Sequence, residues 1–179
     1  MDSNLLTQPV LPPDDLTRSL VLASSDDASH PHIGMVGDTY TILLGGKDTA
    51  GRFCLIDMHI PPGGGPGPHR HDFEETFILM EGELEFVFRG ETKIARAGET
   101  VHIPANAPHV FRNASSSPTR LFCLCSPAGQ EEFFLALGIP VKGRTEAPPK
   151  PTSEQADAFR RRAAELAPKY KTELLNSPE

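Results

Sequence analysis

The chain reads GGGPGPHRHDFEE over residues 63–75 and PANAPHVFRN over residues 104–113, and these two blocks decide its fold. Each begins with glycine or proline and reaches a histidine soon afterwards. Proline and glycine interrupt a regular strand ladder, so each block predicts a loop that leads into a short strand. The two blocks therefore bring histidines from separate strands towards one region of the molecule.

Four side chains in these blocks are spaced to meet at one metal ion: His69, His71, Glu75 and His109. Successive side chains on a strand point to opposite faces, so the three odd-numbered candidates of the first block share one face. Arg70 and Glu74 then point away. A bulge at Asp72 and Phe73 would shift this phase and bring Glu74 inward instead. The sequence leaves open whether Glu74 or Glu75 is the carboxylate ligand, although the strand phase favours Glu75.

Three imidazole nitrogens and one carboxylate form a ligand set that suits first-row transition metals and leaves positions open for water, substrate or dioxygen. We expect one divalent ion. Ligand type does not choose among Fe, Mn, Ni, Cu and Zn, because availability and geometry override intrinsic affinity. Such an ion lowers the pKa of a bound water and polarises a bound oxygen atom. The sequence assigns no general acid or base.

The two blocks resemble the two signature motifs of the cupin superfamily. The first motif has a glycine, His-x-His, three residues, a glutamate and a glycine six residues later, which is Gly82 here. The second has a glycine, here Gly98, then Pro-x-Gly, two residues, a histidine, three residues and an asparagine. Asn106 replaces the glycine inside this motif, and asparagine tolerates a positive φ better than most side chains. The chain is similar to small single-domain cupins of the conserved-barrel type that are described as quercetin-dioxygenase-like.

This resemblance implies an all-β fold, the double-stranded β-helix or jelly-roll barrel, with a bound metal. The first functional hypothesis is a dioxygenase acting on a small enol, phenolic or flavonoid-like substrate. One alternative is a non-oxidative metal-dependent isomerase, decarboxylase or lyase of a small oxo-acid or sugar acid. Another is a non-catalytic protein that binds a small ligand. Small cupins commonly pair, so the resemblance also implies a homodimer.

Composition supports this fold class and excludes some partners. The 179 residues fit one domain with appendages, and 18 prolines, 15 glycines and no tryptophan favour many short strands joined by turns. A net charge of −7 argues against nucleic-acid binding, which needs a basic surface. Residues 1–15 contain neither a basic segment followed by an apolar run nor a stretch long enough to span a bilayer. We expect a cytoplasmic protein that does not bind membranes.

The chain divides into three parts. Residues 1–17 are polar and proline-containing and predict a flexible tail. Residues 18–138 would form the barrel, with an N-terminal strand arm at Ser19–Ala23 and a short helix over Gly129–Leu137. Residues 139–179 would form a proline-rich connector and an amphipathic C-terminal helix, whose start is marked by a capping box of Thr152 and Gln155.

Period-two alternation between turn residues predicts the strands of the barrel. In the longest, Arg52–Ile60, one face is purely apolar and is expected to point inward: Cys54, Ile56, Met58 and Ile60. Further strands are expected over Ile33–Val36, Thr39–Leu44, Phe77–Met80, Leu84–Phe88, Lys93–Arg96, Val101–Ile103, Val110–Arg112 and Arg120–Ser126.

Three apolar side chains are candidates to line a substrate pocket above the metal. Phe77 and Leu79 share the phase of Glu75, and Phe111 shares that of His109. Ordinary core packing is the open alternative for all three. The remaining histidines are interpreted as core or surface residues: His30, His32, His59 and His102.

The three cysteines, Cys54, Cys123 and Cys125, form no disulfide framework and fit a reducing compartment. Cys123 and Cys125 lie within an apolar strand. They are interpreted as small buried side chains rather than as a zinc site.

Overall fold

The computed structural model describes residues 11–176, whose strands form two antiparallel sheets around a common apolar core. The all-β prediction is confirmed. The strands are β1 His32–Met35, β2 Asp38–Leu44, β3 Cys54–Ile60, β4 His69–His71, β5 Glu74–Glu81, β6 Glu83–Phe88, β7 Glu91–Arg96, β8 Thr100–Ile103, β9 His109–Arg112, β10 Thr119–Ser126, β11 Ile139–Pro140 and β12 Thr172–Leu174. The helices are α1 Gly46–Thr49, α2 Gln130–Leu137 and α3 Ser153–Leu166, and a 3-10 helix covers Ala167–Tyr170.

The larger sheet has the strand order β11-β1-β2-β3-β10-β5-β8, and the smaller has the order β12-β4-β9-β6-β7. The chain passes repeatedly between the sheets, which is the winding of a jelly roll. As a result β4 and β9 of the smaller sheet face β5 of the larger one. The two sequence blocks therefore meet between the sheets.

The interior face predicted for β3 is confirmed, since its four apolar side chains are buried. Asp57 lies on the opposite face of β3 and is also fully buried. Arg120 of β10 covers it, with Nη2 2.7 Å from the Asp57 Oδ2 atom. A buried carboxylate needs such a partner, because its desolvation is otherwise strongly unfavourable.

The predicted strand at Ser19–Ala23 is wrong. Residues 18–24 belong to no sheet, and Leu20 and Leu22 are 97% and 94% exposed. One edge of β1 pairs with β2 and the other with β11, which places Ile33 opposite Pro140. Of the tail predicted over residues 1–17, residues 1–10 lie outside the described residues, and residues 11–17 are exposed.

The predicted C-terminal helix begins at its capping box, where the Gln155 backbone N–H donates to Thr152 Oγ1 at 3.2 Å. The segment after this helix holds a strand that the sequence did not predict. The chain turns through the 3-10 helix, and β12 then pairs with the outer edge of β4. This pairing brings the C-terminal segment beside the histidines of the first block.

Candidate metal centre

The four side chains predicted to meet at a metal ion do converge. His69 and His71 come from β4, Glu75 from β5 and His109 from β9, and all four are buried. One ligand atom from each lies within 4.8 Å of every other. Glu75 Oε2 is 3.0 Å from His71 Nε2 and 3.2 Å from His109 Nε2.

The strand phase survives the break between β4 and β5, so Glu75 faces inward. Phe73, in that break, is buried and stacks on the His71 ring with centroids 3.8 Å apart. Glu74 points outward and forms an exposed ion pair with His102 at 3.0 Å. The alternative in which a bulge brings Glu74 inward is therefore not the arrangement of this chain.

Backbone carbonyls fix the tautomers of all three histidines. Nδ1 of His69, His71 and His109 lies 2.9 Å from the carbonyl oxygen of Gly67, Phe73 and Ala107, respectively. A carbonyl oxygen can only accept a hydrogen bond, so each Nδ1 carries the hydrogen. The neutral rings consequently direct Nε2 lone pairs into the site, which is the arrangement found in histidines that bind metals.

Electrostatics keep Glu75 ionised and His69 neutral, and they favour the charged form of His109. Burial and the neighbouring His109 lower the pKa of His69 to about 4. Burial opposes ionisation of Glu75, but hydrogen bonds with His109 and His71 outweigh it and hold its pKa below the ordinary value. Burial lowers the pKa of His109, but its hydrogen bond with Glu75 raises that pKa by more, so the net shift is upward.

The donor set fits a transition-metal ion. When the His71 and His109 rings are neutral with the hydrogen on Nδ1, their Nε2 lone pairs face a carboxylate oxygen that also has no hydrogen to give. A cation between them removes this repulsion. Neighbouring ligands held about 2.0 to 2.2 Å from an ion lie about 3 Å apart, which agrees with the separations of 3.0 and 3.2 Å around Glu75 Oε2.

The second block holds the loop that leads to His69. Asn113 is fully buried, and its backbone exchanges hydrogen bonds with that loop: Gly63 N to Asn113 O at 2.8 Å, and Asn113 N to Gly64 O at 2.9 Å. Gly65 has φ +125°, and a Cβ there would come within 3.0 Å of the Phe111 carbonyl oxygen. Only glycine fits this close approach. Asn106 adopts φ 67°, as predicted for its turn.

A family model agrees with this geometry. The model described as the cupin domain matches residues 56–125, which run from β3 to β10 and include all four candidate ligands. Residues 56–125 form a cupin domain. The sequence resemblance is thereby confirmed.

The chain is similar to curated proteins of other kinds. It is 31% identical over 111 residues to a quercetin 2,3-dioxygenase of Bacillus subtilis, covering 61% of this chain and 33% of that protein. It is 35% identical over 80 residues to the polyketide synthase CurC of Streptomyces cyaneus, covering 44% of this chain and 51% of that protein. The chain thus spans a third to a half of the length of these two relatives.

Solved structures support the fold. A predicted oxalate decarboxylase from Thermotoga maritima superposes with a TM-score of 0.53 at 19% identity, covering 60% of this chain and 99% of that one. At this identity the likeness concerns the fold alone. Among residues 11–176, no helix is both long and apolar enough to cross a membrane.

The pocket candidates lie in the core of the cupin domain. Phe77, Leu79 and Phe111 are all buried. Phe77 and Phe111 meet edge to face with centroids 5.3 Å apart, and both contact the ring of Phe86. This packing is the alternative left open by the sequence, and contact with a substrate stays a prediction. The other histidines lie outside the cluster, and His32, for example, is buried against Thr41 Oγ1 at 2.8 Å.

The sequence did not predict that two cysteine thiols contact Glu75. Cys123 and Cys125 are fully buried, as predicted, but their thiols face Glu75 Oε1 at 3.2 and 3.8 Å. Burial raises the pKa of Cys123 to about 12, so this thiol stays protonated and donates. The two-residue spacing of Cys123 and Cys125 predicts that both thiols lie on the same face of the strand. The apolar residues around them in the sequence favoured ordinary core packing instead.

Asp38 is a second missed group. It is fully buried and accepts from the Tyr40 hydroxyl at 3.2 Å, and among residues 11–176 no group hydrogen-bonds to its Oδ1 atom. Burial raises its pKa to about 7. The sequence pattern predicts a turn at residue 38, where aspartate is ordinarily exposed.

Proposed function

We propose that this cupin domain is a metal-dependent dioxygenase that acts on a small enol, phenolic or flavonoid-like substrate. The observation that carries the proposal is the buried set of three Nε2 donors and one carboxylate, with every histidine tautomer fixed by a backbone carbonyl. The 31% identity to a quercetin 2,3-dioxygenase over 111 residues supports the choice of reaction.

Each residue of the site has a defined task in this proposal. His69, His71 and His109 would hold a divalent ion with neutral nitrogens, and Glu75 would supply one negative charge, so the filled site keeps a net positive charge. The bound ion would supply Lewis acidity and redox chemistry. The strands hold the ligands rigidly, and the buried rings beneath them exclude water from that side.

Oxygen consumption tests the proposal directly. Protein loaded separately with Fe, Mn, Ni, Cu or Zn is supplied with quercetin and simple enols, and oxygen uptake is recorded while products are identified by mass spectrometry. We expect uptake that requires metal, substrate and oxygen together, and that is lost in E75Q but kept in E74Q. Turnover that continues at the same rate without oxygen would reject a dioxygenase and favour an isomerase, decarboxylase or lyase. Tight binding without any product would favour a binding protein.

We propose further that the chain forms a homodimer. Ile78 and Met80, on the outer face of β5, are 38% and 44% exposed, and the arm at residues 18–24 exposes two leucines. Burying these side chains against a second copy would be favourable. Sedimentation equilibrium should give about twice the chain mass of 19.4 kDa. A single species at the chain mass would refute the homodimer.

A further inference from the structure

The two oxygens of the Glu75 carboxylate contact different groups. Oε2 faces the Nε2 atoms of His71 and His109, whereas Oε1 faces the thiols of Cys123 and Cys125. The thiols therefore lie behind the carboxylate, on the side away from the histidines. Both are fully buried on β10, and their Sγ atoms are 3.6 Å apart.

These three atoms have the spacing of ligands around one tetrahedral ion. Thiolate sulfurs bind zinc at about 2.3 Å and carboxylate oxygens at about 2.0 to 2.2 Å, which separates tetrahedral neighbours by about 3.5 to 3.8 Å. The separations here are 3.6 Å between the sulfurs, and 3.2 and 3.8 Å from each sulfur to Glu75 Oε1. Two of these three separations fall within the tetrahedral range, and the separation of Cys123 Sγ from Glu75 Oε1 is shorter.

A third sulfur lies next to this group. Cys54 of β3 pairs with Cys125 in the register of β3 and β10, and its thiol interacts with the Cys125 thiol. All three cysteines of the chain are thus buried at one place. Thiolate-rich sets select thiophilic ions over the harder first-row ions that suit imidazole and carboxylate.

We propose that Cys123, Cys125 and Glu75 Oε1 form a second metal site, for a thiophilic d10 ion of the Zn(II) or Cu(I) class. Binding replaces the two thiol protons, which pass to solvent, with two sulfur–metal bonds and involves no change of oxidation state. Because the histidine cluster uses Oε2, both sites can be filled together, with Glu75 bridging them. The inference requires only the cysteine cluster, and does not depend on the reaction proposed above.

Cadmium titration under reducing, anaerobic conditions tests the site, because cadmium thiolates absorb in the ultraviolet and cadmium bound by nitrogen and oxygen does not. The wild-type protein and the H69A/H109A variant should both develop the thiolate band, saturating at one equivalent bound through sulfur. The C123S/C125S variant, which retains hydroxyl donors to Glu75, should lose at least nine-tenths of the band. A wild-type protein without the band, or a serine variant with an undiminished band, would overturn the proposal.

X-ray absorption of the unaltered protein removes any dependence on variants that fold poorly. After two equivalents of Zn(II), the spectrum should contain a sulfur shell near 2.3 Å beside the nitrogen and oxygen shell near 2.0 to 2.1 Å. A nitrogen and oxygen shell alone would overturn the cysteine site while leaving the histidine site in place. Conversely, a sulfur shell here, together with no oxygen uptake by protein loaded with Fe, Mn, Ni or Cu, would reject the dioxygenase and keep the second metal site.

Discussion

Thr172 lies directly opposite His71 in the antiparallel pairing of β12 with β4. The same pairing places Leu174 opposite His69, and it continues at both ends, through Asp72 N to Lys171 O and Leu175 N to Pro68 O, each at 2.9 Å. The C-terminal segment therefore completes the strand that carries two candidate ligands. Without it, the outer backbone groups of that strand would have no ladder partner.

We predict that a chain ending at Tyr170 binds divalent metal at least about tenfold more weakly than the full chain. Loss of groups that orient metal ligands typically lowers affinity by about 10- to 100-fold. A competition titration with a chromophoric chelator measures the change. A chain ending at Asn176 keeps β12 and is the matched control, with unchanged affinity expected. Equal affinity in both truncated chains would show that β12 does not position the histidines.

Gly65→Ala should destabilise the protein by about 2 kcal/mol or more, because the added Cβ meets a backbone carbonyl and the residue keeps a positive φ. Gly67→Ala in the same loop is the control. Its Cβ would meet no atom within 4 Å, so a change within about 0.5 kcal/mol is expected. Urea unfolding of both variants gives the comparison. Similar losses in the two would contradict the close approach at Gly65.

Glu75→Gln should reduce the metal content of the purified protein to roughly a tenth or less, whereas Glu74→Gln should leave it unchanged. The first change removes the buried charge shared by the histidines. The second removes only an exposed pair with His102, and such pairs contribute about 0 to 1 kcal/mol. Elemental analysis of the two variants, purified in parallel, decides the matter. Metal loss from the Glu74 variant would show that Glu74 takes part in binding.

Asp38 should make the protein less stable as the pH rises from about 4 to about 7. Burial raises its pKa from 3.8 to about 7 in the folded chain. The unfolded chain therefore loses this proton first, and the stabilising contribution present at low pH disappears as the pH approaches 7. The full change is about 4 kcal/mol.

The comparison for Asp38 is the difference in unfolding free energy between the wild-type protein and Asp38→Asn, measured from pH 4 to pH 8. All other titrating groups are common to both proteins, so their contributions cancel. The difference should move in favour of the asparagine variant as the pH rises and level off above 7. A constant difference would show that the folded state does not perturb Asp38.

The cysteines show how local interpretation can be right and still incomplete. Cys123 and Cys125 are as buried as their apolar neighbours predict. Their position beside the site depends on β10 lying next to β5, where Cys125 pairs with Glu75. No pattern within either strand states which strand is its neighbour. The exposed leucines at residues 18–24 illustrate the reverse, because an apolar run predicts a strand whether or not a sheet edge is free.

The sequence by itself determined most strands of the barrel, the inward phase of His69, His71 and Glu75, and the convergence of His109. These depend on the two-residue period of a strand and on turn residues, which act between near neighbours. Tertiary structure alone decided that β12 pairs with β4, that β11 pairs with β1, and that two thiols share Glu75 with the histidines. Such pairings join residues far apart in the chain, and the shape of the whole core selects them.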